Sequence, residues 1–328
     1  EKMAHELRLP IIRMIDGTGG GGSVKTLEQI GATYIPAVPG WSDVVQNLET
    51  VPVVALALGP TAGLGAARTV ASHYSVMVKG LSQIFAAGPA VVDGLGESYK
   101  GSVDHQQAKE DLGGSGIHTR NGVIDDEVAS EAEAFARARH FLSFMPEHVG
   151  QLGRRAKCTD RADRREEELL SLVPREDKQV YSMRRCLEMV FDRGTVFEIG
   201  RMWGRACITA LARLDGWPVM VLASDPSYLG GSWDAKTSEK VERFVKRADQ
   251  FRHWQDLHIM LGQPEPREDV SRYEATFGSL RIRREMHMEF ASYTFINLGI
   301  GDDHQPFQDT GISSLPKGWL EKLTGTVV

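Results

Sequence analysis

A glycine-rich turn, GPTAGLG at residues 59–65, places backbone N–H groups where they could do chemistry. It follows a continuous apolar run and precedes a helical stretch, so Gly63 and Leu64 lie at a strand-to-helix junction. N–H groups at a helix start carry partial positive charge and can stabilise a developing oxyanion. The same segment is compatible with a dinucleotide fingerprint around Gly63 and Gly65, although no acidic residue follows at the expected distance of about twenty positions. The residues alone leave both an oxyanion hole and a nicotinamide site open.

A second glycine cluster, GTGGGG at residues 17–22, follows Asp16 at the end of another apolar run. Such a loop can present N–H groups to an anion or let a ligand approach the backbone. A P-loop requires Gly-Lys-Ser/Thr after four intervening residues, and the order SVKT at 23–26 does not provide it. We predict a loop that lines a ligand, with a purely structural turn as the alternative and Asp16 as its cap.

Conventional catalytic side chains are scarce. The sequence contains no HExxH or GxSxG motif, and its three cysteines match no zinc spacing. Histidines such as His73, His118 and His140 are scattered, and we expect packed or surface positions for them rather than metal ligation. The sequence therefore predicts no metal site, and a functional site built mainly from backbone N–H groups.

The elements that must position these turns are those of an α/β fold. Continuous apolar runs at 9–16, 51–59 and 74–79 predict strands covered on both faces. Apolar residues at spacings of three and four predict a helix from 126 to 145. A second unit is predicted to contain a helix at 181–191, strands within 195–226 around a turn at Asp215-Gly216, and a helix at 237–251. Residues 252–328 show no sustained apolar period, and two stretches in them, PEPREDVSRY at 264–273 and QPFQDTGISSLPKGW at 305–319, read as loops.

Composition excludes several classes of protein. The chain has 328 residues, a net charge of -6 and 34 glycines, about a tenth of the chain against a usual ~7%. The charge gives no basic footprint for nucleic acid, and no apolar run is long enough to span a membrane. We expect reduced thiols, an intracellular location, no nucleic-acid partner and no membrane partner.

Four stretches of sequence occur together in a specific order and spacing. They are GPTAGLGAA at 59–67, VMVKGLSQIFAAGPAVV at 76–92, EDLGGSGIHTRNGVID at 110–125, and the segment 181–251 that begins YSMRRCLEMVF. Over residues 9–251 the chain resembles the carboxyltransferase (beta) subunits of biotin-dependent acyl-CoA carboxylases, of the propionyl-CoA and methylcrotonyl-CoA carboxylase type.

This resemblance implies a crotonase-like α/β fold of two tandem lobes, each a spiral of ββα units, in a homo-oligomer. It implies an acyl-CoA-binding N-lobe at 1–146 that lacks its start, a charged linker at 147–180, the start of a C-lobe at 181–251 that lacks its second half, and a tail at 252–328 with no family match.

The implied activity is carboxyl transfer from carboxybiotin to the α-carbon or vinylogous carbon of a short acyl-CoA. The carboxybiotin would be presented by a separate carrier domain or subunit. The partners would be the acyl-CoA and a biotin carboxylase or biotin carrier subunit, in the cytoplasm of a bacterium or the mitochondrial matrix of a eukaryote.

The resemblance also assigns site residues. The oxyanion N–H groups map to Gly63 and Leu64, in the turn that reads GPxAGG in the family. The acyl-CoA pocket maps to further turn and loop positions, which are Gly19, Gly20, Gly21, Ala62, Ser82, Phe85, Gly88, Gly113 and Gly114.

Three departures from the family pattern qualify these expectations. Leu64 replaces a glycine, which keeps the N–H but narrows the pocket. The family's DSGGAR arginine is missing from DGTGGGGSVK, which leaves the role of Lys25 and the acyl preference open. The later VDxPGF-like and GGAY-like turns are absent from 252–328.

We therefore expect an internal fragment, an aberrant splice form or a frame-shifted reading joined to an unrelated tail, with little carboxyltransferase activity of its own. Two alternatives stay open. One is a catalytically incompetent fragment or assembly partner of such a carboxylase, and the other is an NAD(P)-dependent reductase.

Overall fold

A computed structural model divides the chain into two compact units, Glu1–Gln151 and Leu152–Val328. The structure describes residues 1–17, 24–31, 40–86, 105–151, 153–161, 164–174, 179–251, 258–261 and 293–296. Gly19, Gly20, Gly21 and Gly88, four of the predicted pocket residues, lie outside these ranges, as does most of the tail.

The first unit is built on a parallel sheet in the order β1-β2-β3-β5. Its strands are β1 (Ile11–Gly17), β2 (Val53–Ala62), β3 (Tyr74–Val78), β4 (Ile84–Phe85) and β5 (Asp126–Val128). Strand β2 changes partner along its length. Its residues 54–57 pair with 74–77 of β3, whereas Thr61 and Ala62 pair with Ile84 and Phe85 of β4. The ends of these parallel strands therefore meet at one edge of the sheet.

Seven helices belong to the described part of this unit. They are α1 (Lys2–Leu7), α2 (Val24–Ile30), α3 (Trp41–Thr50), α4 (Leu64–Val70), α5 (His105–Gly113), α6 (Ser115–His118) and α7 (Glu131–Phe144). Helix α4 buries Ala66 against Ala57, Met77, Ile84 and Ile124, so the helix after the glycine turn packs onto the sheet core. The three predicted strands and this helix are confirmed.

Helix α7 starts later than the apolar spacing predicts. Residues 126–128 form strand β5 opposite Val76–Val78, and Ser130 caps the helix by accepting a hydrogen bond from the Glu133 N–H. The prediction of helix from residue 126 is therefore wrong for the first five positions. Strand pairing with β3 and the Ser130 cap decide the boundary there.

A buried polar cluster ties α7 to the sheet. Tyr74, which is fully buried on β3, donates a hydrogen bond to Asp126, and Arg137 of α7 forms an ion pair with the same carboxylate. Burial raises the pKa of Asp126 to about 6. The Tyr74 ring also stacks on Phe141, with ring centroids 4.8 Å apart.

The second unit contains a mixed sheet in the order β10-β9-β8-β7-β6. Its strands are β6 (Phe197–Ile199), β7 (Cys207–Leu214), β8 (Trp217–Ser224), β9 (His258–Leu261) and β10 (Tyr293–Ile296). Strands β7 and β8 form an antiparallel hairpin, and β9 and β10 run parallel to β8. The predicted turn is confirmed: Asp215 and Gly216 have φ values of 51° and 79°, as tight two-residue hairpin turns require.

The helices of this unit are α8 (Leu169–Leu172), α9 (Met183–Val190) and α10 (Ala235–Gln250), with a 3₁₀ turn at Leu229–Gly231. The core is formed by the inner faces of α9, β7 and β8, including Leu187, Phe191, Ile208 and Val221. The helices predicted at 181–191 and 237–251 are confirmed within two residues at each end.

The charged stretch that the sequence analysis assigns to a linker packs onto this second unit. The Ala156 N–H donates to the Gly216 carbonyl at 2.9 Å. Arg164 Nη2 donates to the carbonyls of Met189 and Phe191, each at 2.7 Å. Leu169 and Leu172 contact the hydrophobic core. Part of the predicted linker, residues 153–161 and 164–174, thus makes specific contacts with the second unit, whereas the Val149 N–H donates to the Thr50 carbonyl of the first unit and Leu170 and Val180 are exposed.

Candidate functional site

The turn between β2 and α4 is held in a conformation that only glycine adopts readily. Gly63 has φ 60° and ψ -123°, and it directly precedes the first residue of α4. Its N–H donates to the Phe85 carbonyl at 3.2 Å. Within the described ranges, the N–H groups of Leu64 and Gly65 make no hydrogen bond. Of the predicted pair Gly63 and Leu64, the Gly63 N–H is thus bonded within the fold and the Leu64 N–H is open, as are those of Gly65 and Ala66 among the described residues.

Strand β4 positions this turn through its backbone carbonyls. The Thr61 N–H donates to the Gln83 carbonyl at 2.8 Å, just before β4, and the Gly63 N–H donates to that of Phe85. Between these two, the Ile84 carbonyl accepts from His118 Nε2 at 2.8 Å. Three consecutive carbonyls thus link the turn on one side to helix α6 on the other.

Close packing explains two of the glycines in this turn. A Cβ at Gly65 would overlap Oγ1 of Thr61, and a Cβ at Gly59 would overlap the carboxylate of Asp16 at the end of β1. Thr61 is fully buried, and its Oγ1 has no hydrogen-bond partner among the described residues. The first turn of α4 therefore rests directly on the Thr61 side chain.

The predicted pocket residues that the structure describes serve mainly in packing. The fully buried Ser82 accepts a hydrogen bond from the Val78 N–H and donates to the Val78 carbonyl, which closes the β3–β4 turn. The ring of Phe85 lies against Gly113, and Gly114 lies against Glu110. Ala62 is half-buried beside the turn. The side chains of Ser82 and Phe85 are thus committed within the fold, and a contact of these positions with ligand stays a prediction.

A cavity of about 420 Å³ lies between α5, α6 and the end of β3. It is lined by Lys79, Glu110, Asp111, Ser115, Gly116, Ile117 and Arg120. Lys79 and Arg120 are exposed and form no ion pair with any residue that the structure describes. Neither cation is among the predicted site residues. Lys79 is the last residue of the strand predicted at 74–79, and this position was the available signal, because ligands bind at the carboxyl ends of parallel strands.

The second unit also has a strand that leads through a glycine-containing turn into a helix. There, however, side chains take up the N–H groups. Asp225 accepts hydrogen bonds from the Ser227 N–H at 3.0 Å and from its hydroxyl, and Asp234 accepts from the Thr237 N–H at 2.8 Å. Arg184 bridges Asp225 and Glu198. Burial favours the neutral acid, but hydrogen bonds from Ser227 and Arg184 hold the pKa of Asp225 below its ordinary value.

Metal binding and membrane crossing each require features that the described residues lack. No group of three or more His, Cys, Asp or Glu side chains in them could hold a metal ion. No helix in them combines the length and apolar character that a membrane crossing requires.

Comparison with known sequences gives two matches to family models. The model described as "Carboxyl transferase domain" matches residues 2–253. A second, "Protein of unknown function (DUF3422)", matches residues 241–328. The tail, for which the sequence analysis finds no family, thus matches a family of its own.

Several curated proteins are similar to the chain. It is 31% identical over 254 residues to the propionyl-CoA carboxylase beta chain of Roseobacter denitrificans. The aligned region covers 76% of this chain and 47% of that protein. The chain is 27% identical over 256 residues to the methylmalonyl-CoA decarboxylase subunit alpha of Veillonella parvula, with the same two coverages. The chain spans about half the length of the curated relatives it matches.

Solved structures share its fold. The transcarboxylase 12S structure with hydrolysed methylmalonyl-coenzyme A bound superposes with a TM-score of 0.67 at 22% identity, covering 85% of this chain and 52% of that one. A single-chain, multi-domain long-chain acyl-CoA carboxylase superposes with a TM-score of 0.64 at 22% identity, covering 90% of this chain and 28% of the other. Both have the crotonase-like fold, so the predicted fold class is confirmed.

Proposed function

Because the chain belongs to the carboxyl transferase domain family, we propose that its first unit binds an acyl-CoA thioester and stabilises the enolate from which carboxyl transfer proceeds. The observation that carries this proposal is the pair of open N–H groups of Leu64 and Gly65 at the start of α4. Its relatives include a propionyl-CoA carboxylase and a methylmalonyl-CoA decarboxylase, which supports the substrate class.

Stabilising the enolate requires hydrogen-bond donors that point at the thioester carbonyl oxygen. When the α-proton of a thioester leaves, negative charge develops on the carbonyl oxygen, and two fixed N–H groups stabilise it. The Gly63 N–H is already bonded to Phe85, so we assign this role to Leu64 and Gly65. The Leu64 side chain, 47% exposed, lies beside these donors and would restrict the size of the acyl group.

The anionic end of the CoA would lie in the cavity that Lys79 and Arg120 line. Both cations lack a carboxylate partner among the described residues, and each could bind a phosphate. Glu110 and Asp111 in the same lining would reduce the net attraction, so we expect these phosphate contacts to add less affinity than a purely basic cavity would.

Carboxybiotin would supply the carboxyl group, presented by a separate carrier domain or subunit. Residues 252–328 lack the family's VDxPGF-like and GGAY-like turns. We therefore propose that it binds acyl-CoA but transfers carboxyl groups poorly without another chain.

The decisive experiment removes one N–H. Proline is tolerated at the first position of a helix, so Leu64→Pro deletes the Leu64 donor at little cost to α4, and Leu64→Ala is the matched control that keeps it. Calorimetry would compare the binding of propionyl-CoA with that of S-propyl-CoA, which has no carbonyl oxygen. We expect wild type and Leu64→Ala to prefer the thioester by about threefold to tenfold, and Leu64→Pro to lose this preference. If Leu64→Pro prefers the thioester as strongly as Leu64→Ala does, the assignment of the Leu64 N–H is refuted.

The second candidate is an assembly partner that keeps the surfaces of the family but performs no chemistry. The absence of the family's VDxPGF-like and GGAY-like turns from residues 252–328 favours it. Co-purification with a biotinylated protein, combined with an absence of acyl-CoA binding, would support this candidate over the first.

A further inference from the structure

We infer that His118 is a positioning residue for the Leu64 turn. This inference rests on the proposed function, since it concerns the direction of the N–H groups assigned to the thioester. The imidazole donates a hydrogen bond to a carbonyl of β4, and the carbonyls on either side of it accept hydrogen bonds from the turn.

The first step is the geometry of β4. Its two residues are too few to fix a strand by ladder pairing alone, and the pairing with β2 covers only Thr61 and Ala62. The Gln83 and Phe85 carbonyls accept from the turn, and the Ile84 carbonyl points the other way, to His118 Nε2 at 2.8 Å. Since successive carbonyls of a strand alternate in direction, His118 bonds β4 on the side opposite to the turn.

The second step is the state of the ring. Because a carbonyl only accepts, Nε2 carries a proton and is the donor of this bond. Nδ1 is buried and has no partner among the described residues. The Ile84 bond is therefore the polar contact through which this ring acts on its surroundings.

The third step is the anchoring of His118 itself. Helix α6 is short, but the Thr119 hydroxyl donates to the Ser115 carbonyl at 2.7 Å, and the Ser115 hydroxyl donates to Glu127 at 2.7 Å. The buried Gln83 side chain also donates to Glu110 of α5. His118 thus projects from a fixed base, and movement of β4 would be resisted through the Ile84 carbonyl.

The consequence concerns the orientation of the Leu64 and Gly65 N–H groups. Misplacement of a reacting group by about 1 Å can cost about a hundredfold in rate, so a two-residue strand next to the donors has to be held from both sides. Removing the His118 bond takes away the polar contact on the Ile84 carbonyl, and we expect the neighbouring carbonyls that bond Thr61 and Gly63 to be less firmly fixed.

The test uses the full chain and three variants. His118→Leu removes the donor, His118→Gln keeps an N–H near the position of Nε2, and His73→Leu is the matched control. His73 also bonds a backbone carbonyl, that of Leu48 at 3.0 Å, but it does so beside the opposite end of β2. Hydrogen–deuterium exchange of the peptide 61–65 and the thioester-to-thioether affinity ratio are both measured.

We expect His118→Leu to speed exchange in 61–65 by about tenfold relative to the rest of the sheet and to reduce the affinity ratio to near one, because the strand that carries the acceptor carbonyls loosens. His118→Gln should restore both quantities to within about twofold of wild type. His73→Leu should speed exchange across the sheet without a selective effect on 61–65.

Unchanged exchange in 61–65 for His118→Leu, or the same uniform loss of protection as in His73→Leu, would overturn the inference. If His118→Leu does not fold, His118→Asn, whose amide is too short to reach Ile84, replaces it with the same expectations. A wild-type affinity ratio of one would refute the proposed function, and the exchange measurement would still decide whether His118 holds the turn.

Discussion

Two of the strand-to-helix connections in the described residues differ in what happens to their backbone N–H groups. After β2, the chain enters α4 with the N–H groups of Leu64 and Gly65 unbonded among the described residues. After β8, Asp225 and Asp234 take up the N–H groups of Ser227 and Thr237. A helix start is therefore not a binding site by itself, because a single capping carboxylate can satisfy the donors that a ligand would need.

The glycines of the two units also differ in what lies next to them. In the first unit, Gly63 provides a backbone conformation and Gly65 lets α4 approach Thr61, next to donors left open. In the second, Gly216 accommodates the carbonyl of Ala156, so the space above the hairpin turn is filled by the chain itself. A glycine thus marks a position where another group comes close to the backbone. Whether that group is a ligand or another part of the chain decides if the turn serves binding or stability.

The largest effect is expected for Gly216→Ala. The residue has φ 79°, and its new Cβ would overlap the Ala156 carbonyl, so strain and steric overlap combine to a loss of about 3 kcal/mol in the free energy of unfolding. Gly194→Ala is the control, with φ 71° and open space around the new methyl, and it should cost about 1 kcal/mol. Urea unfolding measures both. Equal losses would show that the segment around Ala156 does not fill this turn.

A smaller loss, about 2 kcal/mol, is expected for Gly65→Ala, because the methyl would overlap Oγ1 of Thr61. Thr61→Ala removes the obstacle, so the double variant should be more stable than the sum of the two single changes predicts. A double-mutant cycle by chemical denaturation measures this coupling. Strict additivity would mean that α4 does not rest on Thr61.

Asp126 and Asp225 should give the two units opposite responses to acid. With a folded pKa of about 6 against an ordinary 3.8, Asp126 keeps its proton in the folded state when the unfolded chain has lost it, so the stability of the first unit falls as pH rises from about 4 to 6. Asp126→Asn should remove this fall, which is at most about 1.4 kcal/mol per pH unit for one proton. Thermal unfolding across this pH range measures the slope.

The second unit serves as the contrast for that prediction. The pKa of Asp225 in the folded protein lies below its ordinary value. Its carboxylate therefore contributes to stability above the ordinary pKa, and this contribution is lost as pH falls through the lower pKa of the folded state. An unchanged slope between pH 4 and 6 in Asp126→Asn would show that Asp126 is already ionised in the folded protein.

The smallest effect is expected at the helix cap in the second unit. Asp234→Ala leaves the Thr237 N–H without its acceptor and should cost about 1 kcal/mol. Asp234→Asn keeps an acceptor oxygen and should cost only a few tenths of that, about 0.3 kcal/mol. Urea unfolding compares the two, and an alanine variant as stable as the asparagine variant would contradict the cap.

The sequence predicted the long elements because their patterns are local. The continuous apolar runs of β2 and β3 and the spacing in α10 identify those elements without any knowledge of their neighbours. The two-residue strand β4 has no pattern to read, and residues 126–128 look helical until β3 pairs with them. In these places a distant partner decides the structure.

The same limit applies to the site. The turn at 59–65 could be found from its glycines, but the bond from Gly63 to Phe85 takes up one of the two predicted donors, and this bond joins segments about twenty residues apart. The roles of His118 and Asp225 also depend on carbonyls and N–H groups that only the folded chain brings near them.

The parallel arrangement of the first unit has a consequence for how the chain folds. Pairing of β1 with β2 brings together residues such as Ile11 and Val53, about forty positions apart, whereas the β7–β8 hairpin closes over Asp215 and Gly216 alone. Local closure is fast and long-range closure is slow. Pairing of β1 with β2 is therefore expected to form more slowly than the β7–β8 hairpin, and the open turn is complete only when β4 has paired with the end of β2.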